Sequence, residues 1–106
     1  VAELKDGRVR TYTIQPEQFG MTRADVKKLS VTSAQDSLTM IRGGFNDESG
    51  PARDIVALNA GAAIYAAGLA PDLAAGVKAA QTAIASGAAR ARLDALVATS
   101  RRLTAA

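Results

Sequence analysis

Residues 53–68 read RDIVALNAGAAIYAAG, and this stretch decides how the chain can fold. Apart from Arg53, Asp54, Asn59 and Tyr65, every residue in it is small or apolar. A helix at the surface of a soluble protein normally keeps a polar face toward water. The stretch therefore predicts a helix that is buried on most of its sides. We expect the buried amide of Asn59 to hydrogen-bond to a backbone group or a neighbour. Its favoured role is to tie the helix to a loop rather than to contact a ligand.

Capping residues divide residues 33–106 into four helices. Ser33, three residues before Asp36, predicts a helix that begins near Ala34. Proline at the first helical position and glycine after the last one predict where the others begin and end. The predicted helices run from about Ala34 to Gly43-Gly44, from Pro51 to about Ala67, from Pro71-Asp72 to about Ala85, and from about Ala88 to Leu103. The apolar stripe expected on the last helix consists of Leu93, Leu96 and Val97.

The N-terminal residues 1–14, VAELKDGRVRTYTI, alternate in character on both sides of Asp6-Gly7. Asp-Gly favours the positive φ angles of a type I′ turn, so the pattern predicts a β-hairpin. A hairpin alone is marginally stable in water, and we expect it to belong to a larger sheet or to pack on one. Residues 15–32 form a connector, whose apolar side chains are expected to anchor it in the core: Phe19, Met21, Val26 and Leu29.

Composition excludes several classes of function. The 106 residues suffice for one domain or part of one, and they include neither cysteine nor histidine. Disulfides, thiolate chemistry and histidine bases are therefore excluded, and the lack of cysteine fits a cytoplasmic protein. No apolar run approaches the roughly 20 residues of a membrane span, so no membrane partner is expected. The net charge of +3 is small. The densest basic pairs of the chain are Lys27-Lys28 and Arg101-Arg102, and we interpret them as solvated surface rather than as a nucleic-acid site.

The loop RGGFNDESG, residues 42–50, is the one stretch that suggests phosphate or metal binding. Gly43-Gly44 lacks the Gly-Lys-Ser/Thr of a phosphate-binding loop, and Asp47 and Glu48 lack calcium-loop spacing. A solvent-exposed loop is the favoured interpretation. The remaining carboxylates lie mostly at turns or helix starts, where capping explains them. The sequence therefore assigns no catalytic, cofactor-binding or metal-binding residue.

Two segments closely resemble the C-terminal part of the anthranilate phosphoribosyltransferases. They are VAELKDGRVRTYTIQPEQFGM, residues 1–21, and SGPARDIVALNAGAAIYAAGLAPDLAAGVKAAQTAIASGAARARLDAL, residues 49–96. The helical segment alone would also suit the related pyrimidine nucleoside phosphorylases. The hairpin and the QPEQFG connector favour the transferase.

The resemblance implies an α/β fold, of which residues 1–106 are a C-terminal segment. It divides into a hairpin (1–14), a connector (15–32) and a helical layer (33–106) that complete the large domain. Members of the family transfer phosphoribose from phosphoribosyl pyrophosphate to anthranilate in tryptophan biosynthesis, as cytoplasmic homodimers that use Mg²⁺. They run to roughly three times this length.

The motifs by which that family binds its substrates and metal do not occur in this chain. They are a Gly-Thr-Gly-Gly-Asp motif, a Lys-His-Gly-Asn stretch, an arginine near anthranilate, and an Asp-Glu pair for magnesium, which lies shortly before the position matching Val1. The resemblance therefore implies that substrates and Mg²⁺ bind outside this segment, and that the chain is inactive alone and part of a longer polypeptide. The alternative from another class is a free-standing, non-enzymatic helical interaction domain.

Overall fold

An N-terminal β-hairpin and four α-helices make up residues 1–105, the part of the chain that the computed structural model describes. The strands are β1 (Ala2–Lys5) and β2 (Arg8–Thr11). The helices are α1 (Ala34–Phe45), α2 (Pro51–Ala66), α3 (Leu73–Ala85) and α4 (Ala88–Ala105). Two short 3₁₀ turns, Pro16–Phe19 and Val26–Leu29, lie in the connection between hairpin and helices. The predicted order of a hairpin followed by four helices is confirmed.

The hairpin forms as its turn residues predict. Asp6 and Gly7 both have positive φ, 52° and 73°, which is the backbone of a type I′ turn. The two strands are antiparallel, with Glu3 opposite Arg10 and Leu4 opposite Val9. The apolar side chains of this second pair are 72% and 70% exposed. Within residues 1–105 the apolar side of the hairpin is therefore largely exposed to solvent.

Four of the predicted helix boundaries, three starts and one end, are made by the residues expected to make them. The hydroxyl of Ser33 accepts a hydrogen bond of 3.0 Å from the Asp36 amide at the start of α1. Pro51 occupies the first turn of α2. The carboxylate of Asp72 accepts one of 2.8 Å from the Ala75 amide at the start of α3. Gly68, with φ 76°, follows the end of α2 as predicted.

The prediction that Gly43-Gly44 ends α1 is wrong. The helix continues through both glycines to Phe45. Gly44 is buried, and a Cβ built on it would lie 3.5 Å from the backbone nitrogen of Arg53 in α2. Gly44 therefore lies inside the helix and packs beside the start of α2, in space where a Cβ would make ordinary van der Waals contact.

The core lies where α2 crosses α3. Gly61 of α2 faces the backbone of Val77, and Gly76 of α3 faces the carbonyl of Gly61 and the Cβ of Tyr65. The buried apolar residues cluster around this crossing: Met21, Ala57, Val77, Ala80 and Ile84. Phe19 packs against the cluster at its edge. The prediction that Phe19 and Met21 anchor the connector is therefore confirmed.

Two other predicted anchors are wrong. Val26 is 75% exposed in its 3₁₀ turn, and Leu96 is 66% exposed on α4, although Leu29, Leu93 and Val97 are half-buried. Helical spacing alone places Leu96 beside its neighbours on the apolar stripe. The contacts of α4 with α3 and α1 cover only part of that stripe.

The contacts within residues 1–105 cover only part of α2, and the prediction that this helix is buried on most sides in a complete α/β domain stays a prediction. Only Ala57 and Gly61 of this helix are buried. Ile55 is 44% exposed, and Asn59 and Ala62 are exposed. These residues share a side of α2 that faces neither α1 nor α3. α2 therefore carries more apolar residues than its contacts within residues 1–105 bury.

The Gly61→Ala substitution is expected to weaken the contact between α2 and α3. An added Cβ would lie 2.5 Å from the backbone N and Cα of Val77, so the helices must separate to admit it. Overpacking of this kind costs about 1–3 kcal/mol of unfolding free energy. Urea unfolding followed by circular dichroism measures the loss.

Gly43→Ala is the matched control for that substitution. Gly43 also lies inside a helix, but its added Cβ would meet only the carboxylate end of the flexible Glu48 side chain. Replacing this helical glycine is expected to raise the unfolding free energy by up to about 1 kcal/mol. Equal stabilisation by both substitutions would contradict the close approach at Gly61.

Candidate functional site

A cleft of about 700 Å³ separates the hairpin from α2. Its walls are mostly apolar or small. The hairpin side and the segment after it contribute Ala2, Leu4 and Ile14, and the helical side contributes Leu58, Ala62, Ala66 and Leu73. Five consecutive residues, Val1 to Lys5, line this cleft. Glu3 and Lys5 lie on the face of β1 that contacts Tyr65 of α2, and Ala2 and Leu4 also line the cleft, so the cleft borders this strand along its whole length.

A carboxylate held between two phenols ties the hairpin to α2. The hydroxyl of Tyr12 donates a hydrogen bond of 2.9 Å to Glu3 Oε2, and the hydroxyl of Tyr65 donates one of 3.0 Å to Glu3 Oε1. The Nζ of Lys5 lies 5.7 Å from the centre of the Tyr65 ring. Arg10 Nη2 lies 3.7 Å from Glu3 Oε1. We call Glu3, Tyr12 and Tyr65 the tyrosine–glutamate bridge.

The electrostatics of this bridge favour a structural role. The hydrogen bond from Tyr12 lowers the pKa of Glu3 below its ordinary value of 4.5, and the bond from Tyr65 adds to the lowering against the opposite effect of burial. The same hydrogen bond to Glu3 raises the pKa of Tyr12. At neutral pH the carboxylate stays ionised and Tyr12 stays protonated. A general acid or base needs a pKa near the working pH, so both shifts move these groups away from proton transfer.

Only one of the two hydrogen bonds of this bridge, that between Glu3 and Tyr12, has a signal in the sequence. The hairpin register brings Glu3 near Tyr12, because residues diagonal across an antiparallel pair lie within reach of an aromatic side chain. Tyr65 lies 62 residues further along the chain from Glu3. No local pattern links the two positions, and this contact exists only in the folded chain.

The side chain of Asn59 lines the cleft rather than the core. Its Nδ2 donates a hydrogen bond of 2.9 Å to the Ile55 carbonyl one turn earlier in α2. The expectation of a backbone hydrogen bond is confirmed. The expectations that the amide is buried and that it ties α2 to a loop are wrong for residues 1–105, because the bond stays within the helix and the side chain is exposed.

Residues 46–49 between α1 and α2 are exposed, as predicted, whereas residues 42–45 of the stretch expected to be an exposed loop belong to α1 and Gly44 is buried. The polar groups of this loop are used in structural contacts. Arg53 lies 3.3 Å from a carboxylate oxygen of Asp47 and 3.4 Å from one of Asp54. Arg90 of α4 donates a hydrogen bond of 3.0 Å to Asn46. These contacts join the loop to the helix that follows and to α4.

No group of three or more His, Cys, Asp or Glu side chains is placed to hold a metal ion among residues 1–105. The same residues contain no helix long and apolar enough to cross a membrane. The two basic pairs, Lys27-Lys28 and Arg101-Arg102, are exposed and lie on separate elements, a 3₁₀ turn and the end of α4.

Comparison with known proteins defines the class of this chain. The profile of the glycosyl transferase family, a/b domain, matches residues 1–90. The chain therefore belongs to this family, and the α/β class expected from the sequence is confirmed.

Curated relatives make the similarity more specific. The chain is 53% identical over 105 residues to the anthranilate phosphoribosyltransferase of Methylococcus capsulatus, an alignment that covers 99% of the chain and 31% of the relative. It is 52% identical over 103 residues to the protein of that name from Methylibium petroleiphilum, covering 97% of the chain and 30% of the relative. It is 49% identical over 104 residues to the anthranilate phosphoribosyltransferase of Nitrosomonas eutropha, covering 98% of the chain and 30% of the relative. The chain spans about a third of the length of these relatives, and the resemblance drawn from the sequence is confirmed.

The Tyr12→Phe substitution is expected to raise the pKa of Glu3 toward 4.5, because it removes the hydrogen bond that lowers this pKa most. NMR titration of the Glu3 carboxyl group measures the change. A lowered pKa stabilises the folded chain above the pKa of the unfolded state, and this contribution is lost as pH falls through the folded-state value. Stability of the variant should therefore depend less on pH in that acidic window.

Tyr65→Phe is the control, since its hydrogen bond contributes less to the lowering and should produce a smaller rise in the pKa of Glu3. If Tyr12→Phe left the titration of Glu3 unchanged, the bridge would not form in solution.

Proposed function

We propose that this chain is the C-terminal part of the α/β domain of an anthranilate phosphoribosyltransferase. The intact enzyme transfers phosphoribose from phosphoribosyl pyrophosphate to the amino group of anthranilate in tryptophan biosynthesis, with Mg²⁺, as a cytoplasmic homodimer. The observation that carries the proposal is identity of about one half, over nearly the whole chain, to relatives of that name. Belonging to the glycosyl transferase family supports the same chemistry class.

The role proposed for the chain within that enzyme is structural. Mg²⁺ is usually held by one or two carboxylates together with substrate phosphates. Most carboxylates of residues 1–105 are already engaged in local contacts. Arg23 pairs with Glu17, Lys27 N–H with Asp25, Thr32 with Asp36, Arg53 with Asp47 and Asp54, Ala75 N–H with Asp72, and the two tyrosines with Glu3. These engaged groups do not fit a magnesium site, which supports placing the metal on other parts of the enzyme. The absence of the family's substrate-binding motifs from this sequence supports the same placement for both substrates.

Two alternatives considered from the sequence are a piece of a pyrimidine nucleoside phosphorylase and a free-standing interaction domain. The hairpin and connector fall inside the stretch that is about half identical to the transferases. That coverage supports the transferase over a phosphorylase. The family match over residues 1–90 supports an enzyme domain over an unrelated interaction domain.

The isolated chain is expected not to consume anthranilate in the presence of phosphoribosyl pyrophosphate and Mg²⁺. The physical reason is that it brings no pyrophosphate-binding motif and its carboxylates are engaged structurally. Loss of anthranilate fluorescence measures turnover, with the Methylococcus capsulatus enzyme as the positive control. Turnover by the isolated chain would overturn the structural role.

A full-length chimera tests the proposal directly. In the Methylococcus capsulatus enzyme, the 105 matched residues are replaced by those of this chain. We expect the chimera to convert anthranilate at a rate within about tenfold of the parent, because a tenfold change corresponds to only about 1.4 kcal/mol of barrier. The same enzyme with these residues deleted should be inactive. A folded chimera without activity would contradict the proposed function.

A further inference from the structure

We propose that Asp6 is a site of spontaneous isoaspartate formation, at which the peptide link to Gly7 moves from the α-carboxyl to the β-carboxyl group of Asp6. The modification needs no enzyme and no co-reactant other than water. It follows from the geometry of the turn between β1 and β2 and does not depend on the proposed function.

The chemistry requires a free carboxyl group beside a free backbone amide. The amide nitrogen of Gly7 loses its proton to solvent and attacks Cγ of Asp6, and one oxygen of the carboxyl group leaves as water. The product is a five-membered succinimide ring, which water then opens. Cleavage between the nitrogen and Cγ restores aspartate, whereas cleavage between the nitrogen and the original backbone carbonyl carbon leaves isoaspartate. One water is lost and one is gained, without oxidation or reduction.

The turn presents both groups in open space. Asp6 and Gly7 are exposed. Among residues 1–105 the carboxylate of Asp6 takes part in no hydrogen bond or ion pair, and the Gly7 N–H donates no backbone hydrogen bond. A Cβ built on Gly7 would meet nothing within 4 Å. Since glycine also has no side chain of its own, nothing crowds the attacking nitrogen.

The other six aspartates of the chain lack this combination. The carboxylate of Asp25 accepts a hydrogen bond of 2.9 Å from the Lys27 amide. That of Asp72 accepts one of 2.8 Å from the Ala75 amide. The remaining four are each followed by an amide that donates a backbone hydrogen bond within a helix or a turn: Asp36, Asp47, Asp54 and Asp94. In all six, an existing hydrogen bond must break before the ring can close.

Ring closure also requires rotation about the bond between Cα and the carbonyl carbon of Asp6. Only the adjoining pair, Lys5 with Arg8, must loosen for the tip of the turn to rotate. A two-stranded hairpin is marginally stable, and mobile loops open locally at free energies close to zero. The rotation is therefore accessible without unfolding of the helices.

Isoaspartate in this turn changes the contact between the hairpin and the helices. Its backbone runs through Cβ and is longer by one methylene group. Because loop length and turn type fix the register of a hairpin, the longer turn no longer matches the pairing of Leu4 with Val9. Glu3 is bound to Tyr65 of α2, and Tyr12 lies on the other side of the turn. The modification therefore weakens the tyrosine–glutamate bridge, and loss of the NMR contact between Leu4 and Val9 measures this effect in the purified isoaspartyl chain.

Timed incubation at neutral pH, with proteolysis and mass spectrometry, tests the proposal in the isolated chain and in the full-length chimera. Fragmentation by electron transfer separates isoaspartate from aspartate. Isoaspartate at position 6 should form at least about tenfold faster than at any other aspartate of the segment. That difference corresponds to about 1.4 kcal/mol of barrier, which is the size of one hydrogen bond's net contribution. In urea, Asp36 should react faster than in the folded protein, whereas the rate at Asp6 should change by less than about tenfold.

Asp6→Glu and Gly7→Asn are the matched variants. Glutamate keeps the charge but would need a six-membered ring, which closes far more slowly, so no isomer should accumulate at position 6. Asparagine tolerates the positive φ of this turn, and the space around Gly7 is open. The hairpin is therefore retained while the added side chain hinders the attack, and the rate at Asp6 should fall severalfold.

A rate at Asp6 no higher than that at Asp36 would overturn the proposal. Protection of Asp6 that urea removes would also overturn it, because the folded turn would then shield the reacting groups. If urea left Asp36 unchanged, the contrast between the two sites would not come from the fold, and the structural argument would fail. Fast isomerisation at Asp6 in an inactive chimera would leave this proposal standing while the proposed function fell. An active chimera without isoaspartate at position 6 would do the reverse.

Discussion

The close crossing of α2 and α3 is the contact on which the rest of this structure depends. Gly61 and Gly76 remove the side chains that would otherwise keep the two backbones apart. Helices built largely from alanine bury little apolar area per residue. They gain packing energy only if they approach closely enough for many atoms to touch. The crossing gathers the buried residues of α2 and α3 into one cluster, and α1 and α4 pack around it.

The hairpin is joined to this helical core in a different way. Its link to α2 is the tyrosine–glutamate bridge, in which one ionised carboxylate accepts hydrogen bonds from phenols on both elements. A polar link of this kind fixes an orientation without burying much apolar surface. The cleft therefore remains open beside it, with an unpaired strand edge on one side and an uncharged helix face on the other.

Sequence reasoning succeeded where a few neighbouring residues decide the structure. Asp6-Gly7, Ser33 and Asp72 make the turn and the caps that their types predict. It failed where a distant partner decides. The glycine pair Gly43-Gly44 predicts a helix end, yet α1 continues to Phe45 and packs beside the start of α2. The apolar side chains of Val26 and Leu96 indicated burial, yet their elements meet too few neighbours to cover them. Tyr65 was noticed only as an exception in an apolar stretch, since nothing near it points to Glu3.

The sequence by itself determined the order of elements, most of their boundaries and the family, because caps, turns and residue identities act over short distances along the chain. The tertiary structure alone decided which face of α2 meets α3, which glycines serve helix contacts, and that Glu3, Tyr12 and Tyr65 meet. Those features depend on groups tens of residues apart, whose positions are set by packing rather than by local conformational preference.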